Sequence, residues 1–274
     1  MTERANLTPG RELLEQARAL HRQTRTPENS LAMRRHLQAA LAADSGIDAP
    51  WRAEAASLLA ETLMCDYLNS WNDAGAAEMA EAETAVERAL AIVADFALAH
   101  YASGLIRRAK GEHDAALAAF SRTVELNPEF ALAHAQQGAE LIYTGRPQEA
   151  LTSIDAALRV SRVDSPVRPM FFWYMGRAHF FAGDYRAAIR WLQRSVEGRG
   201  NIWYNRAYLT SALALIGERE AAAAALRAFD AAFPGFTLAR VVKTEQTNPN
   251  DNPLVVAARH KFHKGLLAAG LRPH

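Results

Sequence analysis

The chain has 274 residues, half of them hydrophobic, with 31 Lys and Arg against 30 Asp and Glu. That length allows a large core, and the near-neutral balance excludes the basic excess by which nucleic-acid binders hold phosphates. Cys65 is the only cysteine, which excludes an intramolecular disulfide. The first 20 residues carry Arg4, Arg11, Glu12, Glu15 and Arg18 and lack an apolar signal core, and no uninterrupted 18-residue apolar run occurs. A soluble, cytoplasmic protein with no membrane span is the expectation. Alanine is abundant, in runs such as Ala221 to Ala225, and it is the best helix former. An all-α fold is therefore expected.

Glu12 to Gln23 and Glu28 to Ala43 read as a first helical pair, with Thr26 as N-cap and Pro27 in the first turn. A third helix runs from near Trp51 towards Tyr67. The loop Asn69 to Gly75 follows, and Ala82, Val86 and Ala89 mark the next helix. From residue 97 the pattern sharpens. Gly111, Gly145, Gly183 and Gly217 each close one helical stretch and precede another, at spacings of 34, 38 and 34 residues. Glycine accepts the left-handed conformation that ends a helix. Residues 97–130 place His100, Gly104 and Arg107 on one helix and Ala116 and Phe120 on the next, which Asn127-Pro128 stops. In 131–164, His134, Gly138 and Leu141 recur in register, followed by Ala150 and Ile154.

Four extra residues, Ser165 to Arg168, account for the spacing of 38. In 169–202 the equivalent residues are Phe172, Gly176 and His179, then Ala188 and Leu192. In 203–236 they are Arg206, Thr210 and Leu213, then Ala222, Leu226, Phe229 and Pro234. Thr210 replaces a close-packing glycine, so a slightly more open hairpin is expected there. Asn252-Pro253 opens a last helix that runs to about Ala269. Leu254, Ala257, Ala258, Lys261, Phe262, Gly265 and Leu266 form its apolar stripe, and Arg259, His260, His263 and Lys264 its solvated face. The tail 237–274 has six Lys or Arg against Glu245 and Asp251, about +4 and too little to argue for DNA.

A helical hairpin of 34 residues resembles the tetratricopeptide repeat, whose pattern Ala-x3-Phe then Pro is matched by Ala116, Phe120 and Pro128. The resemblance implies an α-solenoid of about six hairpins in one continuous stack. Residues 1–96 are its divergent hairpins, 97–236 its four clear repeats, and 237–274 a C-terminal cap with a capping helix. The order of Arg25-Thr26-Pro27-Glu28-Asn29, Leu68-Asn69-Ser70-Trp71-Asn72-Asp73, Phe236-Thr237-Leu238-Ala239-Arg240, Asn252-Pro253 and the ending Gly265 to Leu271 is similar to a narrower group. That group is the repeat region beside the catalytic domain of some bacterial class III adenylate or guanylate cyclases and the DNA-binding domain of some winged-helix regulators. It implies a regulatory or scaffolding module and not cyclase activity.

In such stacks the first helix of each repeat lines the concave face. The helix after Pro169 has a packing stripe, Phe172, Met175, Gly176 and His179, and a second stripe, Met170, Trp173, Tyr174, Arg177 and Phe181. Equivalent second-stripe residues are Tyr204 and Tyr208 in the fourth repeat and Gln136 and Tyr143 in the second. Aromatic residues and arginine dominate binding hot spots. Met170, Trp173, Tyr174, Arg177, Phe181, Tyr204, Tyr208, Tyr143 and Gln136 are therefore the expected groove for a protein or peptide. Burial of the second stripe between neighbouring helices is the competing reading. The Asn and Lys pattern of a carboxylate clamp is missing from these stripes.

No catalytic residue, cofactor or metal site is expected. Repeat position accounts for His100, His134 and His179 as packing residues. His260 and His263 supply two ligands where zinc normally takes three or four. Glu78, Glu81, Glu83 and Glu87 read as a solvated face, Gly198-Arg199-Gly200 as a weak glycine pair, and Cys65 as a small buried hydrophobe. A protein-interaction scaffold in signalling or transcription is the leading reading; the alternative is a small-molecule sensor or regulatory module of a larger system.

Overall fold

A computed structural model describes residues 8–23, 26–43, 49–68, 75–198, 202–246 and 250–274. The segments Asn69 to Asp73 and Arg199-Gly200 named above lie outside these residues. Among the described residues there are fourteen α-helices and no strand. The chain divides into two compact units, Met1–Pro128 and Glu129–His274.

The first unit contains three hairpins, α1 (Pro9–His21) with α2 (Pro27–Ala43), α3 (Pro50–Leu68) with α4 (Ala76–Ile92), and α5 (Ala97–Ala109) with α6 (His113–Leu126). The Thr26 hydroxyl accepts from the Asn29 N–H at 3.2 Å, so the expected cap forms. Helix α3 packs on α2, α4 and α5 and is buried on nearly all sides. Its buried polar groups find partners within the unit. Arg52 donates to Leu41 O at 2.8 Å, Ser30 donates to Asp66, and Ser57 and Thr62 return their hydroxyls to Ala53 O and Leu58 O. Glu61 meets His21 Nε2 at 3.2 Å. Cys65 is half-buried, more exposed than expected, with its thiol 3.7 Å from Glu61 Oε1. On α4, Glu78 caps Gly75 N at 3.0 Å, Glu81 accepts from Gln38, and Glu83 pairs with Lys110.

The second unit contains α7 (Ala131–Tyr143) with α8 (Pro147–Val160), α9 (Arg168–Phe181) with α10 (Tyr185–Gly198), and α11 (Trp203–Leu215) with α12 (Arg219–Ala232). Two further helices follow, α13 (Leu238–Gln246) and α14 (Pro253–Ala269). Helix α13 is not foreseen by the sequence reading. The inserted residues end in a structural contact: Arg168 opens α9, one residue before the expected start, and donates to Leu158 O at 2.8 Å and to Ser161. It thereby satisfies carbonyls that the end of α8 leaves open.

The four repeat glycines have φ of 76°, 77°, 84° and 82°. At each, the following N–H reaches back five residues, from Glu112 to Arg107 O, Arg146 to Leu141 O, Asp184 to His179 O and Glu218 to Leu213 O. This is the Schellman closure that turns one helix sharply into the next. The close-packing glycines also behave as expected: a Cβ on Gly176 would lie 2.7 Å from Leu192. Leu192 and Ile154 are fully buried, whereas Leu226, which follows Leu192 in register and lies on the hairpin holding Thr210, is only partly buried.

Candidate functional site

The first helices α7, α9 and α11 touch one another along one face of the second unit. Each second helix packs instead on its own partner and on the next first helix, as α8 does on α9 and α10 on α11. Helix α9 carries no single apolar side. Leu192 and its neighbours cover its Gly176 face, and its other stripe turns towards α7 and α11.

On that stripe Arg177 is 7% exposed and Trp173 7% exposed. The guanidinium carbon of Arg177 lies 4.3 Å from the ring centre of Tyr143, 5.0 Å from Phe181 and 5.9 Å from Trp173. Its Nε has no hydrogen-bond partner. Burial pulls the Arg177 pKa down, but the oxygens of Tyr143 and Tyr208, with a hydrogen bond to Tyr143, outweigh it and leave the pKa raised. Burial pushes the Tyr208 phenol up to about 12 despite the opposing charge of Arg177. Tyr208 is therefore neutral at pH 7, and the Arg177 guanidinium lies against ring faces and bonds the Tyr143 hydroxyl. Each such cation–π contact is worth about 0.5–2 kcal/mol, the larger value where water is excluded.

The other expected residues join this cluster. Trp173 packs on Tyr204 at 4.6 Å and edge-on to Tyr208 at 5.1 Å. The Tyr174 hydroxyl donates to Gln136 Oε1 at 3.2 Å. Met170, Trp173 and Tyr204 line a small recess with Pro169, Ser195, Ile202 and Asn205. The nine residues thus come together, but unequally. Gln136, Trp173, Arg177 and Tyr208 are buried, as the competing reading requires, while Tyr143, Met170, Tyr174, Phe181 and Tyr204 remain partly exposed. Sequence reasoning did not name Phe180, and it placed Phe262 on the apolar stripe of the last helix without joining it to this cluster. Phe262 of α14 stacks on Tyr208 with centroids 3.9 Å apart and planes at 11°, and Phe180 meets both rings edge-on.

The last helix departs from its expected faces. Asn252 caps it by accepting from Leu254 N at 3.0 Å, as predicted. Its buried residues are Val255, Ala258, Phe262, Gly265 and Leu266, while Leu254 is 64% exposed and Ala257 and Lys261 face solvent. The stripe is therefore rotated towards Val255. His263 is not solvated: its Nε2 lies 2.8 Å from Glu245 Oε2, both groups being mostly buried. Of the three repeat histidines, all are half-buried; His100 reaches Ala94 O, and burial lowers the pKa of His179. No helix among the described residues is long and apolar enough to cross a membrane.

Residues 74–129 and 135–205 match the family described as Tetratricopeptide repeat. No curated protein matches the chain. Among solved structures, the chain is similar to pilF of Pseudomonas aeruginosa, with a TM-score of 0.62 and 16% identity, covering 87% of this chain and 97% of that one. It is similar to a chain of the APC/C hetero-tetramer Cut9–Hcn1, at a TM-score of 0.64 and 14% identity, over 87% of this chain and 45% of that one. A thermophilic tetratricopeptide-repeat protein of Thermus thermophilus, TTC0263, matches at 0.54 and 18% identity, over 74% and 98%. At these identities the likeness shows the fold. The family match over residues 74–129 and 135–205 and the repeated glycine-closed hairpins agree on a fold of the tetratricopeptide-repeat type.

Proposed function

We propose that this protein is an interaction scaffold that binds a peptide or protein segment on the face formed by α7, α9 and α11. One observation carries the reading. A buried arginine on a first helix is surrounded by ring faces, with its Nε unbonded. A purely structural site gains little from a charge held this way, because removing a buried ion from water costs several kcal/mol unless its partners compensate. A binding site gains a donor that is already desolvated and oriented. The partly exposed Tyr143, Tyr174 and Tyr204 supply rigid contact area beside it. A regulatory role in signalling or transcription is the narrower form of the same reading, supported by the segment order described above.

The test compares the full chain with its Arg177→Met variant as bait for partners from the source organism, with thermal melting of both. The reading predicts a partner whose capture falls at least tenfold in the variant while the melting temperature is kept. Equal capture by both baits, or loss only together with unfolding, refutes it.

A further inference from the structure

In the regular part of the second unit each new first helix packs on the second helix before it, α9 on α8 and α11 on α10. Helix α14 breaks this order. It packs chiefly on α11 and touches α9 and α12 to the same small extent. It lies along the first helices instead of continuing the stack. Its approach begins two repeats away. Asn250 Nδ2 donates to Tyr143 O at 2.8 Å and Asn252 Nδ2 to Thr144 O at 3.1 Å, so two amides satisfy carbonyls at the end of α7. Phe262 then lies flat on Tyr208 and edge-on to Phe180. The Ser211 hydroxyl donates to Phe262 O at 2.9 Å. One turn on, Gly265 lies against Ser211 and Leu215, with no room for a side chain. Only five of the 17 residues of α14 are buried, and Leu254 and Leu267 point outward. This is one-sided burial, as for a helix laid in a groove.

We infer that α14 is an internal ligand, and that the face of α7, α9 and α11 takes an amphipathic helix bearing a phenylalanine followed three residues later by glycine. This rests on the binding face proposed above and names the kind of partner it fits: a helix of the α14 pattern that takes its place, with amide donors at its N-terminus for the end of α7. In the intact chain the resident helix competes from the same molecule, at an effective concentration on the order of millimolar. A free helix of the same pattern at micromolar concentration is therefore outcompeted, and a partner captured by the full chain has to displace α14.

The experiment titrates a labelled peptide of residues 250–274 into the full chain and into its Gly265→Leu variant. The substitution lies on α14 and leaves every residue of α7, α9 and α11 unchanged. The variant should bind the peptide at least tenfold more tightly than the unmodified chain does, and a Phe262→Ala peptide should lose at least tenfold of that affinity. Hydrogen exchange in the variant should rise in 253–269 while 131–143, 168–181 and 203–215 stay protected. Two results overturn the inference: a folded variant with exposed α14 that ignores the peptide, or loss of protection throughout 129–274, which makes α14 part of the core. Neither result touches Arg177-dependent capture of a partner, which is read separately.

Discussion

Helices α3 and α9 are both first helices buried on almost every side, yet they dispose of their polar groups in opposite ways. Helix α3 buries Arg52, Ser57, Glu61, Thr62 and Asp66, and each has a bond to its own unit. Helix α9 buries Arg177 among rings and leaves its Nε unbonded. A buried network whose members are satisfied fixes a unique packing. A buried arginine held on ring faces keeps one donor unbonded, which is the donor the proposed binding site would use. The difference separates a helix whose polar groups serve the fold from the one to which we assign recognition.

Substitutions break that comparison in a definite order. Trp173→Ala removes a large ring packed on Tyr204 and Tyr208. It should cost about 3–5 kcal/mol in urea unfolding of the full chain. Asp66→Ala leaves the buried Ser30 hydroxyl without its acceptor. The expected loss is about 1–3 kcal/mol by the same measurement. Arg177→Met keeps the volume and removes the charge. Its stability should change by less than about 1 kcal/mol in either direction, while partner binding falls. If Arg177→Met instead destabilises as much as Asp66→Ala, the two helices are alike and the contrast fails. The smallest effect concerns pH. Burial, with help from Arg190 and against Asp184, lowers the His179 pKa below its ordinary 6.5. The unfolded chain takes up that proton first, so the stability contributed is complete above about pH 6.5 and drains as the pH falls further. Thermal melting between pH 7 and 5 should show a shallower decline in His179→Gln than in the unmodified chain.

Much of this was legible in residue spacing. The turn glycines require positive φ, which other residues rarely adopt, so their register carried the hairpin boundaries across four repeats. Helix α13 escaped because nine residues give too little periodicity, and only Thr237, which accepts from Arg240 N at 3.3 Å, marks its start. Spacing also found which side chains share a stripe of α9, but not how deeply neighbours bury them. That depends on the crossing of α7 and α11, a property of tertiary packing. For the same reason the stripe of α14 was misjudged: Leu254 is as apolar as Val255, and only the position of α11 decides which is inside.

Three of the turn glycines, Gly111, Gly183 and Gly217, have open space where a side chain would grow, whereas one on Gly145 would meet Asn252 at 2.7 Å. Asparagine tolerates the left-handed conformation better than most residues. Relatives of this protein should therefore drift from glycine to asparagine at the three open turns and not at Gly145. A relative that has lost its last helix is released from that restriction. The residue at one tight turn then records, in a sequence alone, whether the chain still folds its own tail against itself.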